Sequence, residues 1–341
     1  MIENQTKGQE VVIPAALVDL AAARVGGKAL LTNDEFFAKK ENLLKPSRGI
    51  FIPDKYTDRG KWMDGWETRR RRTPGNDWCV IRLGLPGIIK LVDIDTNHFI
   101  GNHPPHASLD AVALNTKTLI DHKRAEKLEW VTILPKSPLN PGSQNLFEVA
   151  NDSRWTHVRL NIYPDGGVAR LRVYGAVVPD WDRLKAKTLI DLVAIRNGGV
   201  ALACSDMFFS SMNNIIMPGR AKNMGDGWET KRRRGQGNDW IIIKLGTAGI
   251  VKKIEVDTNH FKGNYPDMCS IEGCYSPDVT TETLIGSNVQ WREILTKTKL
   301  RGHTRHFFQR ELKDVGAVTH VWLNIYPDGG VSRLRVYGTI Q

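Results

Sequence analysis

The fold is decided by a stretch that the chain contains twice: Asp64-Gly65-Trp66-Glu67-Thr68, then Arg70-Arg71-Arg72, then Gly75-Asn76-Asp77-Trp78. All of it returns 162 residues later as Asp226 to Thr230, Arg232 to Arg234 and Gly237 to Trp240. A repeat of this length is a whole domain, because solenoid units span only about 20–50 residues. Polar residues that both copies retain are therefore the first candidates for function.

The repeat divides the 341 residues into four segments. We expect an N-terminal extension at 1–29, repeat 1 at 30–175, a linker at 176–202 and repeat 2 at 203–341. Within the extension, Val11-Val12-Ile13 predicts a short strand. Repeat 1 carries ten extra residues within Ser47 to Met63, and their Pro, Gly, Asp and Lys content predicts a longer loop.

Alternation of apolar and polar residues dominates both copies, as expected of half-buried strands. It runs from Leu91 to Phe99 and again from 253 to 261, which places His98 and His260 at the end of an apolar face. Glycine-rich turns such as Pro86-Gly87 separate these strands, and no long helical pattern interrupts either copy. The sequence predicts an all-β protein made of two tandem jelly-roll-like antiparallel β-sandwiches.

The composition limits the classes of partner. A net charge of +11 favours an anion, whether a carboxylate substrate, nucleic acid or an acidic surface. None of the four cysteines has a cysteine at the equivalent position of the other copy, which indicates reduced thiols and a cytoplasmic protein. The sequence contains no signal peptide and no run of about 18 apolar residues, so we expect no membrane association.

The arginine run is the clearest anion-binding candidate, because a guanidinium grips a carboxylate through paired hydrogen bonds. The alternative interpretation is a solvated loop or a charged edge strand. Alternation lets only some of these side chains face a pocket, and the candidates, each identical in the other copy, are Arg70, Arg72, Arg232 and Arg234. Trp66 and Trp78 flank the run instead of interleaving with it, so we expect no nucleic-acid partner.

The shared carboxylates and histidines are the candidates for proton transfer. Asp64 precedes a glycine and is typical of a turn, whereas Glu67 suits either an ion pair or a general base. His98 and His260 suit a pocket floor at the rim of the sandwich, with a satisfied core histidine as the alternative. His157 and His320 alternate onto the polar face of their strand, which predicts surface residues.

No certain cofactor follows from the sequence. His98, His103 and His106 are metal-ligand types, but the second copy has Tyr265 and Met268 where the last two stand. A divalent metal therefore stays open, without a convincing set of ligands. Nucleophile-elbow, P-loop and dinucleotide fingerprints are absent from the sequence.

The doubled motifs Asp-Gly-Trp-Glu-Thr-x-Arg-Arg-Arg, Asn-Asp-Trp and Asp-Thr-Asn-His-Phe-x-Gly-Asn resemble those of the allantoicases, or allantoate amidinohydrolases. The resemblance covers Leu30 to the end of the chain, and the length and doubled architecture are similar to those of fungal members. It implies jelly rolls of the galactose-binding-like kind. It also implies hydrolysis of allantoate to (S)-ureidoglycolate and urea, in purine breakdown through allantoin. Many members have His where Asn76 and Asn238 stand, which puts any mechanism with an imidazole there in doubt.

The resemblance also suggests roles for the shared residues. The four arginines would hold the carboxylate of allantoate. Amides and carboxylates would read its ureido groups, namely Asn76, Asp77, Asn102, Asn238, Asp239 and Asn264. Proton transfer would fall to Glu67, His98, Glu229 and His260. The sequence does not choose between elimination and direct hydrolysis, or between one site per copy and sites shared by the copies. A homo-oligomer also stays open. The alternative function is a non-catalytic lectin-like binding module.

Overall fold

The computed structural model of the chain describes residues 13–14, 16–115, 118–185, 189–286 and 289–341. They form two compact units, the first built mainly from residues 27–84 and 88–175 and the second mainly from residues 176–341. Each unit is an antiparallel β-sandwich, as predicted.

In its described residues the first unit contains one short helix, α1 (His122–Lys127), and a 3-10 turn at Lys40–Leu44; a further 3-10 turn lies at Ala23–Val25. Its strands in the described residues are β1 (Val18–Asp19), β2 (Lys28–Thr32), β3 (Tyr56–Thr57), β4 (Gly60–Lys61), β5 (Trp66–Glu67), β6 (Asp77–Asp95), β7 (His106–Val112), β8 (Val131–Pro138), β9 (Leu146–Glu148), β10 (Arg154–Tyr163), β11 (Gly167–Val168) and β12 (Arg170–Val177). The main sheet has the order β1-β12-β6-β10-β7-β8, and β2 and β9 also pair with β6.

The second unit repeats this arrangement, with helices α2 (Trp181–Lys185) and α3 (Thr281–Ile285) and 3-10 turns at Ile195–Asn197, Met212–Ile216 and Met224–Asp226. Its strands in the described residues are β13 (Ile190–Asp191), β14 (Val200–Cys204), β15 (Trp228–Glu229), β16 (Asp239–Asp257), β17 (Met268–Cys274), β18 (Arg292–Lys299), β19 (Arg305–Phe308), β20 (Ala317–Tyr326), β21 (Gly330–Val331) and β22 (Arg333–Ile340). The order β13-β22-β16-β20-β17-β18 matches that of the first unit.

One long strand joins the two layers of each sandwich. In the second unit, the beginning of β16 pairs with β14 and β20, whereas its end pairs with β19 and β22. The register shifts between Lys244 and Gly249, where the strand changes neighbours. The predicted turn at Pro86-Gly87 is therefore wrong, because these residues lie inside the continuous strand β6 at the equivalent bend. A bend within a strand and a turn between strands share the same local signal.

The core follows the predicted alternation. Val92, Ile94, Leu160 and Val173 are fully buried, and the second copy buries its equivalents in the same way. The extra residues of repeat 1 contain the exposed hairpin β3–β4. No helix in the described part of the chain is both long and apolar enough to cross a membrane. All four cysteines are unpaired thiols.

Two very short strands lie outside the predicted repeats. Val18 of β1 pairs with Gly175, and Ile190 of β13 pairs with Gly338, so each completes an edge of its own sheet. A strand of two residues is too short to show alternation, which is why the sequence pattern assigned these positions to the extension and the linker. The strand predicted at Val11-Val12-Ile13 lies almost entirely outside the described residues.

A buried arginine ties the loops of each unit to its sheet. The guanidinium of Arg170, only 1% exposed, donates from Nη2 to Asp64 Oδ2 at 2.6 Å and from Nη1 to the Asp64 carbonyl at 2.8 Å. Its Nε donates to the carbonyl of Ser47 at 2.7 Å. Arg333 binds Asp226 in the same way, with Nη2 and Oδ2 3.0 Å apart. Asp64 and Asp226 are thus structural, which agrees with their interpretation as turn residues.

The prediction that His157 and His320 lie on the surface is wrong. Their exposed fractions are 0% and 1%, although they alternate onto the polar side of β10 and β20. Nδ1 of each ring lies 2.9 Å from the hydroxyl oxygen of the preceding threonine. Burial lowers the pKa of both histidines to about 4, and the nearby charges of Arg82 and Lys244 act in the same direction.

We expect these histidines to make the protein less stable in acid. An unfolded histidine binds its proton near a pKa of about 6.5. The buried imidazoles bind it only near 4, so between these values the unfolded state holds more protons. The free energy of unfolding should therefore fall as pH drops from about 6.5 towards 4, by on the order of 3 kcal/mol for each histidine.

Urea denaturation of the wild type and of His157→Gln/His320→Gln at several pH values between 4.5 and 7.5 tests this expectation. The double variant should lose less stability than the wild type as the pH falls through this window. Substitution of exposed His122 by Gln is the control and should leave the dependence unchanged. An equal slope in the wild type and the double variant would contradict the assignment.

Candidate functional site

The repeated Trp-Glu pair places a carboxylate beside the core. In β5, Trp66 is fully buried and its Nε1 donates to the Asp34 carbonyl at 2.8 Å. Alternation turns the next side chain, Glu67, to the opposite face, and Glu67 pairs with Gly167 of β11. Trp228 and Glu229 repeat this geometry in β15.

Glycines on both sides of this strand make room for one aromatic ring. A Cβ atom at Gly167 would lie 2.0 Å from Phe99 Cδ1, and one at Gly65 would lie 2.6 Å from Phe99 Cε2. Such distances are well below van der Waals contact, so only glycine fits at these positions. The Asp-Gly pairs of the repeat therefore pack the site against the fully buried Phe99.

An amide from a separate loop binds the carboxylate. Asn102 Nδ2 donates to Glu67 Oε1 at 2.7 Å, and Asn264 makes the same bond to Glu229. Burial raises the pKa of both glutamates, and the asparagine bond offsets part of the rise. The structure thus brings together Glu67 with Asn102 and Glu229 with Asn264, all of which the sequence singled out.

In the second unit this pair lines a cavity of about 670 Å³. Arg232 lies in its wall, is exposed, and has no hydrogen bond or ion pair among the described residues. The complete lining combines charged, polar and aromatic side chains with backbone: Phe209, Glu229, Thr230, Arg232, Arg233, Gly263, Asn264, Tyr265, Asp267, Pro327, Asp328 and Gly329. A cavity with a free guanidinium suits a small anionic ligand.

The middle arginine of each run is half-buried, whereas the arginines on either side of it are exposed. Arg71 turns inward, and its Nη1 lies 2.8 Å from Asp77 Oδ1, while Arg233 pairs with Asp239. Arg70 and Arg72 are exposed and carry no partner within the described residues. In the second unit Arg232 lines the cavity, and Arg234 is not part of the lining.

The predicted substrate-binding residues Asn76, Asp77, Asn238 and Asp239 also have partners within the protein. Asp77 is 2% exposed and also accepts from Asn33 at 2.9 Å, and Asp239 is equally buried. The Asn76 amide donates to the carbonyl of Asp77, 3.0 Å away. Asn238 donates to the carbonyl of Asp239 and to Asn324 Oδ1.

The predicted position of His98 and His260 on an apolar strand face is wrong. The long strands end at Asp95 and Asp257, where each carboxylate accepts the backbone N–H two residues later at 2.9 Å. This turn gives the histidines left-handed φ angles of 69° and 72°. Their Nε2 atoms lie 3.2 Å and 2.9 Å from the carbonyls of Gly49 and Ala221. His260 does not line the cavity.

Sequence reasoning missed the contribution of the Pro-Asp-Gly-Gly turn. Asp165 Oδ2 accepts the backbone N–H of Arg71 at 2.8 Å, and Asp328 binds Arg233 in the same way. Asp328 also lines the cavity, next to Pro327 and Gly329. The turn recurs in both copies, which was the available signal, but it indicated only a chain reversal. Among the residues that the structure describes, no three His, Cys, Asp or Glu side chains are placed to hold a metal ion.

Comparison with known proteins decides the family. The family model of the allantoicase repeat matches residues 18–178 and again 190–341. A probable allantoicase of Burkholderia mallei is 50% identical, covering 95% of each chain, and the allantoicase of Dictyostelium discoideum is 51% identical over 93% of this chain and 86% of its own. The crystal structure of allantoicase from Saccharomyces cerevisiae superposes with a TM-score of 0.79 at 39% identity, covering 94% and 93% of the two chains.

The chain belongs to the allantoicase family. The resemblance seen in the doubled motifs is thereby confirmed, and so is the predicted pair of antiparallel β-sandwiches. In an allantoicase, the shared Glu–Asn pair and the free arginine are the residues whose geometry suits a small-molecule site.

Removal of the asparagine amide should raise the pKa of its glutamate further. The amide hydrogen bond lowers that pKa against the effect of burial, so Asn264→Ala leaves the Glu229 carboxylate with burial alone. We expect the Glu229 carboxyl to titrate at higher pH in this variant. Carboxyl ¹³C NMR checks it, with the resonance assigned by its loss in Glu229→Gln.

The control for this titration is Asn213→Ala, because Asn213 is exposed and its side chain has no hydrogen-bond partner among the described residues. An unchanged Glu229 titration in Asn264→Ala would show that the amide does not stabilise the charged carboxylate.

Proposed function

We propose that this chain hydrolyses allantoate to (S)-ureidoglycolate and urea, in the breakdown of purines through allantoin. The observation that carries the proposal is the cavity of the second unit, where a glutamate with a raised pKa, an amide and a free arginine meet. Membership of the allantoicase family specifies the reaction, the hydrolysis of a C–N bond in a linear amidine.

Substrate capture falls to Arg232, and to Arg70 at the equivalent position of the first unit. Allantoate carries one carboxylate, and a guanidinium binds a carboxylate through two parallel hydrogen bonds. Arg232 has its donors free for this purpose, whereas Arg233 is already paired with Asp239. Arg72 and Arg234 are exposed and remain second candidates for the same role.

The ureido groups need donors and acceptors together, because each contains a carbonyl and N–H groups. Asn264 and Asn102 offer an amide oxygen beside the glutamate that binds their nitrogen. We assign Asn76, Asn238, Asp77 and Asp239 a supporting role. Their contacts hold the arginine loop, with Asp77 and Asp239 binding Arg71 and Arg233.

Proton transfer is assigned to Glu67 and Glu229. In the overall reaction, the oxygen of water bonds to the central carbon, the C–N bond to one ureido group breaks, and a proton of water ends on the released nitrogen. A carboxyl group with a raised pKa can hold that proton nearer neutral pH and deliver it to the leaving group. The same residue serves direct hydrolysis and elimination followed by hydration.

His98 and His260 remain the other candidates for proton transfer. Each imidazole binds a backbone carbonyl through Nε2, which fixes the ring at the turn after the long strand. We propose one small-molecule site in each unit, in a cytoplasmic protein whose four thiols are unpaired. A homo-oligomer and a divalent metal remain to be tested by measuring mass in solution and activity with and without added metal.

Replacement of both glutamates should abolish activity. If each unit holds its own site, Glu67→Gln and Glu229→Gln should each keep part of the urea release. The double variant should lose it by about 10²–10⁴-fold, the usual contribution of a proton-transferring group. The measurement is urea released from allantoate by the purified protein.

The same assay on His98→Asn/His260→Asn separates the two sets of candidates. Activity close to that of the wild type in this variant would remove the histidines from the mechanism, and full activity in the double glutamine variant would remove the glutamates. Wild-type protein that binds allantoate without releasing urea would favour the lectin-like binding module instead.

Arg232 should act mainly on substrate binding. Loss of a hydrogen-bonded charge pair costs about 1.5–3 kcal/mol, so Arg232→Ala should raise KM by about 10- to 150-fold. The assay uses the Glu67→Gln background, in which only the second unit turns over. Arg310→Ala is the matched control, because Arg310 belongs to the second unit, is exposed and lies outside the cavity wall. Equal KM values for the two alanine variants would refute this role.

A further inference from the structure

The two units share the glutamate, the asparagine and the free arginine, yet the wall around these residues differs. Tyr265 follows Asn264 in the second unit, whereas His103 follows Asn102 in the first. Asp267 lies two residues further on, where the first unit has Pro105. Both Tyr265 and Asp267 line the cavity that holds Glu229 and Arg232.

The absence of a side chain at Gly302 leaves space for the Tyr265 ring. A Cβ atom at Gly302 would lie 2.7 Å from Tyr265 Cδ1 and 2.8 Å from the carbonyl of Lys262, so only glycine lets the ring approach this loop. The corresponding loop of the first unit has Pro141 at this position, since Thr96 and Thr258 bind the residues on either side in the same way. The second unit therefore combines Tyr265 with Gly302, whereas the first unit combines His103 with Pro141.

The hydroxyl of Tyr265 is unpartnered within the described part of the chain. The side chain is half-buried in the cavity wall, and no group among the described residues hydrogen-bonds to its oxygen. Asp267, by contrast, is neutralised by Lys299, whose Nζ lies 2.6 Å from Oδ1. Tyr265 therefore contributes a neutral donor and acceptor to the wall of the cavity.

We infer that Tyr265 is a substrate-binding residue, and that its hydroxyl hydrogen-bonds a ureido group of allantoate in the site of the second unit. The inference rests on the proposed function and adds a specificity-determining residue to it. A ureido group is neutral and carries donors and an acceptor, which matches a phenol hydroxyl better than it matches a charged side chain. Because the first unit has His103 instead, the two sites bind the same substrate with different affinity.

Tyr265→Phe tests the inference, because it removes the hydroxyl and keeps the ring beside Gly302. Kinetics are measured in two backgrounds, Glu67→Gln to observe the second unit and Glu229→Gln to observe the first. In the first background KM for allantoate should rise about threefold to tenfold, the effect of one lost hydrogen bond. In the second background KM should stay unchanged, and Tm should be unchanged throughout.

Tyr275→Phe is the matched control, because Tyr275 belongs to the second unit, is 53% exposed and does not line the cavity. Equal KM for Tyr265→Phe and Tyr275→Phe in the Glu67→Gln background would overturn the inference and leave the proposed function intact. A rise of KM in the Glu229→Gln background would also overturn it, since the effect would then act through the fold. Wild-type protein without urea release would remove both the proposed function and the inference.

Discussion

The buried guanidinium of Arg170, with its counterpart Arg333, is the interaction on which the site of each unit depends. Burial of a charge costs several kcal/mol unless it is paired and fully hydrogen-bonded. Arg170 meets this condition only when Asp64 and the carbonyl of Ser47 converge on it. Asp64 stands three residues before Glu67, so the same contacts fix the short strand that presents the catalytic candidate.

The repeated motif therefore divides its polar residues between two tasks. One group is paired within the protein and holds the loops, as Asp64 does with Arg170 and Asp77 with Arg71. The other group, Glu67 and Arg70 with their counterparts, has no charged partner among the residues that the structure describes and is available to a ligand. Identity between the copies does not distinguish the two groups. Loss of a buried ion pair destabilises the fold, and loss of a catalytic group lowers turnover, so both kinds of residue are retained.

Differences between the copies are as informative as identities. Tyr265 with Gly302 and His103 with Pro141 occupy equivalent positions around an unchanged glutamate and asparagine. The side chains around the Glu–Asn pair thus differ between the units, whereas the pair itself does not. Because both units belong to one chain and share one fold, their differences lie in these side chains.

The sequence by itself determined the doubled domain, the strands and which alternate residues of a strand face the core. These features depend on repetition and on the period of two within each strand. The repeated motifs also identified Glu67, Arg70 and Asn102 as candidate site residues. The sequence misplaced His98 because a local turn closed by Asp95 ends the strand before the alternation does, and it misplaced His157 because burial in the folded unit is not visible in the alternation. Only the tertiary structure decided that Asn102 binds Glu67 across 35 positions and that Tyr265 enters the cavity. Loops carry no periodicity, so their contacts follow from how the sandwich brings its ends together.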